Sequence, residues 1–161
     1  MNSKRARMNY KLFPQTLESN YDFEFMGTDD VIELATVMLN SLKDTSEDRD
    51  ETLGDVIQEI VSVIGGSFAP FISDASYQII LNGEIASAIM ISYYEGYPLM
   101  SEIFTKKKYQ NLGMASYIIK KSVNSLLDMG YKNLILNVDI DNYAAINLYR
   151  KIGFEVNEIV L

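Results

Sequence analysis

Apolar residues along this chain fall into two spacings, one of two and one of three to four, and the switches between them mark out the elements. Tyr21-Asp22-Phe23-Glu24-Phe25 alternates aromatic and acidic positions, a strand pattern. Val31, Leu34, Ala35, Met38 and Leu42 share a helical face, with Thr28 as the expected cap and Asp29 and Asp30 in the first turn. Asp44 to Glu51 is a polar, acidic connection, after which Leu53, Val56, Ile57, Ile60 and Ile64 predict a second amphipathic helix ended by Gly65-Gly66. A β section follows: a strand over Ser76–Leu81, an Asn82-Gly83 turn, a return strand over Glu84–Tyr94, a turn at Glu95-Gly96, and a strand from Pro98 to Thr105.

From there the chain alternates strand and helix. Gly113 to Met129 reads as a helix with Ala115, Ile118, Ile119, Val123, Leu126 and Leu127 inward and Gly130 as its stop. Leu134–Val138 is a buried strand. Asp141 or Asn142 can cap a helix whose inner face is Ala145, Leu148, Tyr149 and Ile152, and Gly153 ends it. Phe154–Leu161 is the last strand. Residues 1–20 carry the least pattern; they are expected to be a mobile arm or to add one edge strand over Met8–Phe13, with residues 21–161 as a single domain. The order β-α-α-β-β-β-α-β-α-β predicts an α/β (α+β) fold: a mixed central sheet with helices on both faces.

Composition removes whole classes of chemistry. The 161 residues include no cysteine and no histidine, which excludes disulfides, thiolate nucleophiles, Ser-His-Asp hydrolysis and histidine-ligated zinc. Acid–base work falls to carboxylates, tyrosine, lysine or water. The net charge of −8 argues against nucleic acid as a partner. Residues 1–105 hold 6 Lys/Arg and 17 Asp/Glu, and residues 106–161 hold 8 and 5, so the halves carry −11 and +3. That asymmetry suits a cationic ligand on one side and a phosphorylated one on the other. No apolar run reaches the length of a membrane span, and the basic start MNSKRARMNYKLF has no apolar region after it; the expected location is the cytoplasm.

The candidate chemistry centres on the strand–loop–helix from Glu102 to Met129. A helix start presents unpaired N–H groups and positive dipole potential to an anion. Gly113 lets backbone approach a ligand, Ala115 is small, and Lys106, Lys107 and Lys108 add positive charge nearby. The spacing is neither that of a P-loop nor that of a dinucleotide fold. Asp139-Ile140-Asp141-Asn142 resembles the start of a calcium loop, but Ala144 and Arg150 stand where that loop needs glycine and glutamate. No metal site is expected.

Two motifs together resemble the GNAT superfamily of acyl-CoA N-acyltransferases. Gln110, Gly113 and Ala115 match its donor-site pattern, with Thr105 where the preceding strand usually ends in valine. Asn142-Tyr143-Ala144-Ala145-Ile146-Asn147-Leu148-Tyr149-Arg150-Lys151-Ile152-Gly153-Phe154 matches the second. The resemblance implies a mostly antiparallel GNAT-like sheet and acetyl-CoA as co-substrate. It implies that amides of Asn111, Leu112, Gly113, Met114 and Ala115 hold the pyrophosphate, beside Gln110. Backbone of Ile103, Phe104 and Thr105 would pair with pantetheine, and Asn142 would contact the pantetheine arm or order its helix. Tyr149 would protonate the departing thiolate. Glu102 is the candidate base, with Glu84, Glu95 and the Asp44–Glu51 segment in reserve. The implied function is acetyl transfer to a primary amine of a small molecule, such as a cationic one, or of a protein; the alternative is a non-catalytic acyl-CoA-binding or partner-binding module.

The chain also departs from the family pattern. Relatives that acetylate protein N-termini often carry a glutamate base where Asn137 stands. Members commonly have two strands after the Gly-Phe, whereas Phe154–Leu161 suffices for one. The exposed sheet edge this leaves would be covered by a partner subunit, as in a homodimer, or by the N-terminal segment.

Overall fold

A computed structural model describes residues 4–160. The elements run β1 (Arg5–Lys11), β2 (Phe23–Phe25), α1 (Val31–Leu42), α2 (Leu53–Ile64), β3 (Tyr77–Leu81), β4 (Glu84–Tyr94), β5 (Tyr97–Thr105), α3 (Met114–Asp128), β6 (Asn133–Asp139), α4 (Tyr143–Ile152) and β7 (Glu155–Val160). They form a seven-stranded sheet ordered β2-β3-β4-β5-β6-β1-β7, with antiparallel neighbours throughout except β5 and β6, which are parallel. Leu161, expected in the last strand, lies outside the described residues, as do Met1, Asn2 and Ser3.

Each helix buries its apolar stripe on the sheet, and the two faces hold separate cores. On one face Leu34, Ala35 and Met38 of α1 and Val56, Ile60 and Val63 of α2 pack against Ala88 and Met90 of β4 and Phe104 of β5. On the other, Ile118, Ile119, Val123 and Leu126 of α3 and Tyr149 and Ile152 of α4 meet Ile89 and Ile91 of β4 and Leu136 and Val138 of β6. Strand β4 is buried on both faces from Ile85 to Ser92, as a central strand between two helical layers must be. Thr52 starts α2 with a capping box, its side chain accepting from Asp55 N–H while the Asp55 carboxylate accepts from Thr52 N–H. The expected cap at Thr28 is replaced: a short 3-10 turn covers Thr28–Asp30, and Asp30 stands at the N-cap of α1.

The N-terminal segment is where the structure departs most from expectation. It is neither an arm nor an edge strand, and its strand spans Arg5–Lys11 instead of Met8–Phe13. It inserts between β6 and β7, pairing with β6 from Arg5↔Asp139 to Lys11↔Asn133 and with β7 from Arg5↔Val160 to Asn9↔Glu155. The physical reason is alternation: Ala6, Met8 and Tyr10 are buried, while Arg5, Arg7, Asn9 and Lys11 face outward to varying degrees. Pro14 and the exposed Phe13 lie beyond it, after Leu12 N–H donates to Lys132 O at 2.9 Å. The outer edge of the sheet is therefore still β7, where Glu155 and Glu158 put charge on the strand.

Strand β1 also explains one motif glycine. Gly153 sits at φ 129°, and a Cβ there would collide with the ring of Tyr10. Tyr10 packs on Phe154 with ring centroids 5.1 Å apart, so β1 seals the junction between α4 and β7. Met8, fully buried, is the test of this placement. Met8→Ala should cost about 3 kcal/mol in urea denaturation, the usual loss for truncating a core methionine. An arm or a loosely attached edge would change stability by less than about 0.5 kcal/mol.

Candidate active site

The parallel pair β5 and β6 is registered at Leu99↔Ile135. Beyond that point the strands run on to Thr105 and Asp139 without a further paired register, so a split opens between their C-terminal ends. On its other side β5 remains paired with β4, Thr105 opposite Ser87 and Ile103 opposite Ile89. The backbone edge of Ile103, Phe104 and Thr105 that faces the split is thus free of a strand partner, as a ligand that mimics a strand requires.

At the end of β5 the chain turns through Lys107–Tyr109, and Gln110 folds back to donate from Nε2 to Thr105 O at 3.0 Å. Asn111 and Gly113 both adopt positive φ, 65° and 82°. They aim the loop into the start of α3, whose N-cap is Gly113 with no side-chain cap. A Cβ on Gly113 would meet nothing within 4 Å. The glycine therefore serves the backbone conformation, and the space above it is open to a ligand. Met114 is buried and anchors the loop from below, while Tyr21 donates its hydroxyl to Leu112 O. The three lysines are less available than the sequence implies. Lys106 and Lys108 pair with Glu84 at 2.5 and 3.0 Å, and Lys107 Nζ donates to Lys43 O. Those two ammonium groups hold Glu84 at about 2, well below the usual carboxylate range. What the loop offers an anion is chiefly backbone amides and the helix dipole.

A cleft of about 780 Å³ opens along the split on the α1–α2 side. Leu99, Met100, Ser101 and Glu102 of β5 and Asn137 and Asp139 of β6 line it from the sheet. Met90 faces Glu102 and Ile91 faces Met100, so Ser101 is the extra residue of a β-bulge, held by its Oγ donating to Met90 O at 3.0 Å. Such a bulge re-aims the next side chain, here Glu102. Burial, the adjoining Glu59 carboxyl and the charge of Glu47 push the Glu102 carboxyl well up, against an opposing pull from Arg5.

The donor-loop signature thus lies at the C-terminal end of β5, and the second signature lies on α4 and the turn into β7. The sequence profile of the acetyltransferase (GNAT) family matches residues 37–154. The chain belongs to the GNAT acetyltransferase family. No curated protein gives a significant sequence match. Among solved structures, the fold resembles a GCN5-related N-acetyltransferase from Sphaerobacter thermophilus, at TM-score 0.74 and 12% identity over 98% of this chain. The chain spans about half (49%) of that protein. It also resembles the PaiA N-acetyltransferase of Thermoplasma acidophilum, solved in complex with coenzyme A, at TM-score 0.67 and 16% identity, covering 86% of this chain and 92% of that one. The ribosomal-protein-S18-alanine N-acetyltransferase of Escherichia coli gives TM-score 0.67 and 19% identity over 86% of this chain and 80% of its own. At these identities the likeness is one of fold.

Within this GNAT fold, Tyr149 lies on α4 at 7% exposure, packed against Phe154. Its hydroxyl has no hydrogen-bond partner among the described residues. Burial first, then the charge of Glu47, push that hydroxyl well above its ordinary value, so it stays protonated. Tyr149 packs in the core on the α3–α4 face and is not among the residues that line the cleft. Asn142 caps α4, its Oδ1 accepting from Ala145 N–H at 3.2 Å. The reserve carboxylates divide: Glu84 is bound by lysines, Glu95 lies 3.5 Å from Arg7 at the surface, and Glu47 and Glu51 line the cleft.

Several cleft residues escaped the sequence reading. Glu59 flanks the apolar stripe of α2, one position from Ile60, and looks like a surface glutamate. Asp139, read with a calcium-loop resemblance, is buried and pairs with Arg49 at 2.9 Å and Arg5 at 3.6 Å. The signal for Asp139 was its place at the end of a buried strand; nothing local marks Arg5, Arg49 or Glu59. No helix among the described residues is long and apolar enough to cross a membrane.

Proposed function

We propose that the protein transfers an acetyl group from acetyl-CoA to a primary amine. The observation that carries this reading is the joining of two sites along one split: an uncapped helix start with open space over Gly113, and a carboxylate-lined cleft beside the free edge of β5. The first suits a diphosphate and the second an amine. When bound, acetyl-CoA supplies the activated acyl group as a thioester. Amides from Asn111 to Ala115 hold its pyrophosphate, and the edge of Ile103–Thr105 orients the pantetheine arm. Lysine charge contributes less, because Glu84 occupies two of the three ammonium groups.

Glu102 accepts the proton that the amine loses as its nitrogen bonds to the acetyl carbon. A carboxyl with a raised pKa is a stronger base than an ordinary one and suits this step near neutral pH. Tyr149 donates a proton to sulfur as the C–S bond breaks, and its raised pKa keeps that proton in place beforehand. The free hydroxyl of Tyr149 supports this role.

Tyr149→Phe should lower kcat by about 10²- to 10³-fold while coenzyme A binding, read by titration calorimetry, persists. Unchanged turnover would leave Tyr149 as packing alone. The pH dependence has a definite sign. Glu102 works as the base only when ionised, and its pKa is raised, so kcat/KM should climb with pH through a value above the ordinary carboxylate range. Glu102→Gln should lower the rate and remove that acid limb; a profile of unaltered shape would exclude Glu102 as the base.

A further inference from the structure

The charges in the cleft do not balance. Among the described residues five carboxylates line it, Glu47, Glu51, Glu59, Glu102 and Asp139, against two guanidinium groups, Arg5 and Arg49. Both arginines turn to the same partner, Asp139. Among the described residues no ion pair reaches Glu47, Glu51, Glu59 or Glu102. Even with Glu102 protonated, as its raised pKa permits, the cleft keeps an excess of two negative charges. A monoamine entering as its ammonium form would leave one of them uncompensated, at a cost that rises as the ligand excludes water.

One carboxylate is also set up to receive a second cation. Glu51 accepts Arg49 N–H on Oε1 at 2.9 Å. Its Oε2 is shielded from solvent and has no hydrogen-bond donor, a costly state for a carboxylate oxygen unless a ligand completes it. Arg49 pins this segment to β6 through Asp139, so Glu51 is held in place over the cleft. Between the carboxylates the wall is apolar, with Met38, Leu42, Val63 and Met100, and Phe68 stacks on Tyr94 at 5.4 Å. That wall fits methylene groups.

We infer that the acceptor is an aliphatic dication, with one amine presented to Glu102 and Glu59 and a second ammonium held by Glu51. The inference rests on the acetyl-transfer reading for the direction of chemistry, but the dication site can be tested without it. The Glu51 group binds substrate and takes no part in proton transfer.

The test uses 1,4-diaminobutane and butylamine as probes, which share a reacting end and differ in the second charge. Thiol release from acetyl-CoA and calorimetric titration of each amine into the protein with coenzyme A present are measured on the wild type and on Glu51→Gln. The expected result is a kcat/KM at least about tenfold higher for the diamine, carried by KM, with that preference collapsing toward unity in Glu51→Gln. Equal use of both amines by the wild type, or a preference that survives Glu51→Gln, overturns the inference. If neither amine is acetylated, binding decides. A tenfold tighter diamine in the wild type alone keeps the dication site and sinks acetyl transfer to these amines. Equal or absent binding of the two sinks the dication site.

Discussion

Two parallel strands that part after one paired register determine how this molecule works. The edges of β5 and β6 beyond Leu99 and Ile135 have left the sheet's hydrogen-bonding pattern, and backbone groups so exposed need water or a ligand. The sheet tolerates the opening because each strand is secured on its far side. β5 is paired with β4 along its length, and β6 is paired with β1 over all seven of its residues. The bulge at Ser101 adds local twist to β5 at the place where the strands separate. The N-terminal strand is therefore part of the active-site framework, although none of its apolar residues reaches the cleft.

The same opening keeps two opposite charge requirements apart. The start of α3 offers positive potential through amides, and Lys106 and Lys108 share the single carboxylate of Glu84, which offsets one of their two charges. The α1–α2 side of the split is a field of carboxylates. An anionic donor and a cationic acceptor would each be attracted to its own end.

Local patterns made most of the fold readable. β4 was bounded correctly because Asn82-Gly83 and Glu95-Gly96 punctuate it, and α3 because Gly113 and Gly130 do. β1 was misread because its alternation runs through Ala6 and Met8 between arginines, residues that carry little strand signal; only its pairing with β6 and β7 makes it a strand. The donor loop was legible for a similar reason: a backbone site leaves its mark as glycine and spacing. The carboxylate-lined cleft was not, because it is assembled from Arg5, Arg49, Glu59 and Asp139 on four separate segments. Their association depends on tertiary structure, and each looks like an ordinary surface charge in its own neighbourhood.

The central claim is that acetyl-CoA lies in the split between β5 and β6 with its pyrophosphate on the loop before α3. Hydrogen–deuterium exchange with and without acetyl-CoA measures this at the backbone groups concerned. The account predicts slowed exchange at the amides of Ile103–Thr105 and of Asn111–Ala115, while the edge strands β2 and β7 stay unchanged. Protection elsewhere, or none at saturating acetyl-CoA, would contradict it.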